Sequence, residues 1–461
     1  MLKRYIADKA FYRRVLAIAI PIVIQNGITN FVSLLDNIMV GQVGTVPMSG
    51  VSIANQLLFI FNLCVFGASA GAGIFTAQFY GKGDHEGVRN TFRFKCISCT
   101  LLTLVGIGIF LPGGAALIRL YLTGEGDPLA ASQTLAHGIA YLRIMLLGFL
   151  PFALTNAYGS TLRETGQTVV PMVGGIIAVC VNLVLNYILI FGHLGLPAMG
   201  VQGAAIATVV SRFVELAVVA GWTHAHVKES PFIRGAFQSF AIPRQLLWRI
   251  AKKATPLLLN EFFWSAGVAM LNQSYSTCGL DVVPALNIST TIQNLANVSN
   301  IALANAIGIL MGQMLGTGQH KEAVQDANRK LLAMSVACGI LFGGFLLAIS
   351  GVFPSLYNTS QEVRALASSL IRVTGLLMPL MAFTLSSYFT LRSGGQALIT
   401  FLFDSCFMWL CTVTLAFCLS RFTSISIVPM YAITQGTDII KCALGLWLLR
   451  KGIWIKNLTQ E

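Results

Sequence analysis

The stretch Gln78-Phe79-Tyr80-Gly81-Lys82-Gly83-Asp84-His85 returns 235 residues later as Gln313-Met314-Leu315-Gly316-Thr317-Gly318-Gln319-His320. Working outward at the same offset, Pro21 aligns with Pro256, Gly44 with Gly279 and Gly73 with Gly308. After a small deletion the offset becomes 229, pairing Arg143 with Arg372 and Leu162-Arg163-Glu164-Thr165-Gly166-Gln167 with Leu391-Arg392-Ser393-Gly394-Gly395-Gln396. The chain is therefore read as an internal duplication. The Gly-x-Gly turns themselves resemble phosphate loops only loosely, because no strand precedes them and no Gly-Lys-Ser/Thr follows; a helix stop and restart explains them.

Composition fixes the solvent around the repeat. Of 461 residues, 55% are apolar and only 10% are charged. Soluble domains carry roughly 25% charged residues, so a soluble core wrapped in charge is excluded. A hydrocarbon layer about 30 Å thick takes about 20 helical residues to cross, and an open strand would leave backbone groups unpaired there. Apolar runs fall at 15–40, 50–76, 95–112, 137–162, 168–192 and 200–222, then at 254–278, 284–312, 329–351, 365–391, 396–419 and 428–450. The reading is an all-α membrane protein with twelve transmembrane helices in two pseudo-symmetric six-helix bundles. Its predicted parts are an N-terminal bundle over 1–222, a cytoplasmic basic connector over 223–253 and a C-terminal bundle over 254–461. Six spans per repeat return the chain to its starting side, so the copies are related by an axis along the membrane normal.

The net charge of +13 reflects where Lys and Arg sit. Twenty-three basic residues fall in the N-terminus, the even-to-odd connectors and the C-terminus, against Arg119, Arg364 and Arg421 in the opposite connectors. Translocating Lys and Arg is disfavoured, so the chain is predicted to be a multi-pass protein of the plasma (inner) membrane with both termini cytoplasmic. No basic face is interleaved with aromatics, and nucleic acid is not an expected partner. The stretch 243–253 is predicted to be a basic amphipathic helix on the inner leaflet. The ten cysteines lie in or near apolar runs, outside any Cys-x-x-Cys or Cys/His cluster, and read as packing residues. Without a catalytic cluster or Walker sequence the chain is not expected to be an enzyme, and no cofactor or catalytic residue is assigned.

Charge at membrane depth costs roughly 3 kcal/mol or more, so each buried acid asks for a partner or a task. Glu215 lies three residues from Arg212, and Asp438 three before Lys441; each couple shares a helix face and is expected to neutralise itself. Asp404 has no basic neighbour in sequence. Asp36 and Glu261 also lack one, and their repeat positions hold Leu271 and Asn26, so the halves have diverged in charge while keeping Pro21 and Pro256. These two acids are expected to carry ions or protons. Asn182 and Asn186 share a face of the fifth span, with Thr208 in the sixth, and offer the oxygens a hard monovalent cation takes. Asn260 belongs to a run of amides in the first, second, seventh and eighth spans. With Phe59, Phe61, Phe262, Phe263 and Trp264 these amides are expected to line a cavity for amphipathic solutes.

Pro21, Leu34-Leu35-Asp36-Asn37-Ile38-Met39-Val40-Gly41, the Gly-x-Gly turns, both Leu-Arg-x-x-Gly-Gln runs and Gly203-Ala204-Ala205-Ile206-Ala207-Thr208, in that order, resemble the multidrug and toxic compound extrusion (MATE) family over essentially the whole chain. The resemblance implies a V-shaped pair of six-helix bundles that alternate between inward and outward openings. It implies export of drug-like, often cationic, organic compounds in exchange for H+ or Na+. One branch of the family holds its cation at positions matching Asp36, Asn182, Asn186, Ala204 and Thr208, so Na+ at Asp36 is the sole metal candidate. The family usually has Asp where this chain has Asn186, which leaves the site one negative charge short. Another branch uses a seventh-span Glu, matching Glu261, with a tenth-span Asp; here that span offers only Thr384, Ser386 and Ser387. Glu261, Asn260 and Asp404 are the substrate or coupling candidates of the C-terminal bundle, and Pro21 and Pro256 the hinges. The expected partners are a small organic solute and membrane lipid, and the expected state is a monomer. A lipid-linked sugar flippase of the same broader superfamily and a passive channel are the alternative readings.

Overall fold

The computed structural model describes residues 5–122 and 128–460, without the side chains of Leu34 and Asn37; Lys3 and Arg4 of the basic N-terminus lie outside the described residues. The described residues are 84% helical, and no strand occurs among them. In the first repeat the helices are α1 (Lys9–Gly41), α2 (Thr45–Lys82), α3 (His85–Tyr121), α4 (Pro128–Leu147), α5 (Phe149–Glu164), α6 (Val169–Phe191) and α7 (Val201–Ala225). The second repeat has α8 (Arg244–Ser276), α9 (Val282–Gly316), α10 (Lys321–Ile349), α11 (Gln361–Ser393), α12 (Ala397–Phe401), α13 (Thr414–Phe422), α14 (Ile427–Gly436) and α15 (Asp438–Lys451).

Nine of these stretches, counting Ala397–Phe422 as one, are long and apolar enough to cross a membrane, and the bent pair α4 and α5 makes a tenth. Taking α14 with α15 and adding the more polar α8 completes the twelve spans read from sequence. The fourth span was expected to be continuous, but it breaks at Gly148 with a 47° bend. Pro151 has no N–H to give to the Leu147 carbonyl, and the Gly148 carbonyl turns out to accept from Arg212 Nη1 at 3.3 Å. The eleventh span is wound more loosely than an α-helix. Leu402–Cys406 and Met408–Val413 are π-helical, the Phe407 N–H reaching back five residues to Leu402.

The connector differs from expectation. Residues 243–253 form no separate surface helix, because Arg244 opens α8 and that helix continues unbroken to Ser276. The preceding residues instead dock on α3. Arg93 donates from Nε to the Ala236 carbonyl at 2.8 Å and from its two terminal nitrogens to Gly235 at 2.8 Å and Ala241 at 3.3 Å. Phe92, fully buried, packs its ring on Phe232, Phe237 and Tyr158.

The duplication extends to backbone conformation. Gly44 and Gly279, Gly83 and Gly318, and Gly166 and Gly395 take matching positive φ values of +137° and +148°, +80° and +71°, and +85° and +71°. A side chain at any of them would meet its own backbone, so the repeated glycines are turn requirements. Two compact units result. One holds the chain up to Val23, Ala77–Asp84 and Thr255–Glu461; the other holds Ile24–Thr76 and His85–Ala254. Pro21 and Pro256 each lie within two residues of the point where α1 and α8 pass from one unit to the other. All ten cysteines are free thiols.

Candidate functional site

In the unit built from the first repeat, α6 and α7 pack closely because Gly203 lies against the Leu189 carbonyl, where a Cβ would come within 2.6 Å of the oxygen. That approach sets Asn182 and Asn186, four residues apart on α6, beside Thr208 of α7 and opposite Asp36 of α1. Asn186 Nδ2 donates to Asp36 Oδ1 at 2.6 Å, and to Asn182 Oδ1 at 3.2 Å. Asn182 Nδ2 lies 3.3 Å from Thr208 Oγ1, which donates to the Ala204 carbonyl at 3.0 Å. Turning the Asn182 amide over sets its nitrogen 3.0 and 3.2 Å from the two Asp36 oxygens and lets its oxygen accept from Thr208. All five positions named for the cation are therefore neighbours.

Two features of this cluster bear on its chemistry. No ion pair to Asp36 occurs among the described residues; the nearest polar contact is the neutral Asn186 amide. Asn186 Oδ1 is buried and accepts no hydrogen bond. Asn62, Asn156 and Asn300 carry such an oxygen too; what sets Asn186 apart is that its amide also meets the Asp36 carboxylate. Carboxylate, amide carbonyl and hydroxyl oxygens together suit a proton or a hard monovalent ion such as Na+. The residues present fit that group.

In the other unit, Asn260 of α8 is the hub. Its Nδ2 donates to Asp404 Oδ2 at 3.1 Å and lies 3.2 Å from the Tyr388 hydroxyl, while its Oδ1 accepts from Ser405 at 2.8 Å. Tyr388 of α11 reaches Glu261 Oε1 at 3.5 Å. Glu261, Asn260 and Asp404 thus belong to one polar set. Asp404, though, is held by Lys441 of α15, whose Nζ lies 2.7 Å from Oδ1. The ion pair expected within α15, Asp438 with Lys441, gives way to this one with the preceding span. Arg212 likewise is engaged by the Gly148 carbonyl and stands 4.8 Å over the Phe152 ring, and no ion pair joins it to Glu215 among the described residues.

Sequence reasoning missed a further ion pair. Lys95 of α3, wholly buried, donates to Glu164 Oε2 at 2.5 Å and to Thr161 Oγ1 at 3.1 Å. Its partner lies 69 residues away on another helix. Phe61, expected to line a cavity, is buried and stacks on Phe149 at 3.8 Å, so it belongs to the core. Phe59, Phe262, Phe263 and Trp264 are exposed.

The MatE family profile matches residues 21–188 and 256–418, one match in each repeat. The chain belongs to the MatE family of multidrug and toxic compound extrusion (MATE) transporters. Among curated relatives it is similar to the probable multidrug resistance protein NorM of Thermotoga maritima, at 23% identity over 97% of this chain and 95% of that one. It is also similar to the protein of the same name from Agrobacterium fabrum, at 27% identity over 79% and 77%. An outward-facing multidrug resistance MATE transporter of the MOP superfamily superposes with a TM-score of 0.85, at 20% identity over 98% of both chains. A MATE transporter in complex with MaL6 gives 0.84, at 20% identity over 95% and 96%. This MATE chain shares their fold.

Proposed function

We propose that the chain is a secondary active antiporter that exports drug-like, often cationic, organic compounds in exchange for H+ or Na+. The observation that carries this reading is the lone Asp36 carboxylate, met by the neutral Asn186 amide and by no Lys or Arg among the described residues. An ionised carboxylate at membrane depth is costly, and a captured cation removes that cost. The unpartnered Asn186 Oδ1 supplies a further oxygen for the incoming ion.

In this reading Asp36, Asn182, Asn186, Ala204 and Thr208 hold the coupling ion. When Asp36 is neutralised, α1 is free to bend at Pro21, with Pro256 as the matching hinge of α8, and the solute is released. Glu261 gives the solute its counter-charge, within the polar set that Asn260 and Asp404 share. The transporter works as a monomer in the plasma membrane with both termini in the cytoplasm, and needs no cofactor beyond the coupling ion. The names of its relatives, multidrug resistance proteins, support the solute class.

The test is efflux of a cationic dye from vesicles under an imposed pH gradient and, separately, an imposed Na+ gradient. Efflux driven by either one alone supports the antiporter and names the ion. Dye movement indifferent to both contradicts it.

A further inference from the structure

The Lys441 ammonium rests on two groups that recognise cations in general. On one side is the Asp404 carboxylate at 2.7 Å, and on the other the ring of buried Phe403, whose centroid lies 5.3 Å from Nζ. A carboxylate facing an aromatic ring is a site for a monovalent cation, combining charge with the ring quadrupole. The carboxylate is oriented for the task by Asn260 Nδ2, and Asn260 by the Ser405 hydroxyl. Asp404 and Ser405 both sit on π-helical turns, a rare geometry that recurs at functional sites. The side chains of Lys441 and Asp404 remain 14% and 16% exposed. Other charges near it are Asp438, one turn earlier on α15, and Glu261 and Arg392, both reached through Tyr388.

We infer that Asp404, Asn260 and Phe403 form a second monovalent-cation seat, in the C-terminal half, whose resident cation is the chain's own Lys441 ammonium. A tethered cation occupies the seat without drawing on solution. The C-terminal half then takes up no coupling ion, and each transport cycle is left with one. The physical ground is that a carboxylate stripped of its ammonium in a low-dielectric setting binds whatever small cation can reach it. The seat itself stands independently of the role given to Asp36, and its test is read with Asp36 removed.

The experiment is saturable binding of radioactive Na+ to the purified full-length chain at alkaline pH. Asp36→Asn with Lys441 intact is expected to bind no Na+. Asp36→Asn/Lys441→Ala is expected to gain a Na+ site, and adding Asp404→Asn is expected to abolish it. Two results overturn the inference: Asp404-dependent Na+ binding while Lys441 is present, or no gain when Lys441 is removed. Lys441→Gln serves as the second variant, since it keeps most of the side-chain volume. Should both fold poorly, ion-to-solute stoichiometry of the wild-type chain decides: one coupling ion per solute is expected, and two would overturn the tethered cation.

Discussion

Gly81 and Gly316 occupy the same place in the two repeats, and each lies against the backbone of the segment that carries the other. A Cβ on Gly81 would collide with the Gln313 carbonyl, and a Cβ on Gly316 with that of Gln78. Gly312 and Ala77, also repeat partners, touch at the same crossing. The reciprocity is what a duplicated helix pair related by a two-fold axis must produce where the copies meet. Only a residue without a side chain lets two backbones come this close. We predict that Gly81→Ala and Gly316→Ala each destabilise the protein by about 1–3 kcal/mol through overpacking. Because the two share one crossing, the double variant should lose less than the sum. Thermal unfolding of the three variants checks this.

The buried Lys95–Glu164 pair should behave as a unit. Gly73 makes room for the Glu164 carboxylate, and Thr161 gives Lys95 a second acceptor. Lys95→Met or Glu164→Gln alone removes one side of this buried contact and should cost about 3–5 kcal/mol. The double variant, which removes both charges of the contact, should lose less than the sum of the two. Strictly additive losses in a double-mutant cycle would contradict this pairing.

Arg93 pins the connector through three backbone carbonyls, and charged hydrogen bonds of that kind contribute about 1.5–3 kcal/mol each. Arg93→Ala should expose residues 227–243 to protease while leaving α3 intact. Limited proteolysis followed by mass mapping of the first cut reads the result; an unchanged cleavage pattern would mean that the aromatic packing around Phe92 holds the segment by itself.

Much of this was legible in the chain, and the limit has a physical cause. Spans and turns are local, so apolar run length and the repeated glycines revealed them, down to the paired positive φ values. The cluster around Asp36 was legible in two steps: four-residue spacing set Asn182 and Asn186 on one helix face, and the family resemblance joined them with Asp36 and Thr208, which meet at 2.6–3.3 Å. Partners on different helices were not. Lys441 is 37 residues from Asp404 and three from Asp438, and helix periodicity favours the nearer acid. Helix packing chose the other. The break at Gly148 had a local signal in Pro151, but the Arg212 contact with the Gly148 carbonyl, 64 residues away, had none.

Asn186 offers a way to change the ion site without removing it. Asn186→Asp would set a second carboxylate 2.6 Å from the first. Two such charges repel strongly unless a cation lies between them. We predict at least tenfold tighter Na+ dependence of efflux, a change of about 1.4 kcal/mol. Measured efflux against Na+ concentration should shift its midpoint downward, and a midpoint that stays in place would count against Asn186 as a ligand.

The central claim is that Asp36 couples the ion to the solute, and Asp36→Asn tests it most directly. Wild-type and variant chains are reconstituted in parallel, dye binding is measured at equilibrium, and dye efflux is followed under the gradient that drives the wild type. The account predicts near-normal binding and loss of gradient-driven efflux in the variant. Gradient-driven efflux at the wild-type rate from Asp36→Asn would contradict it.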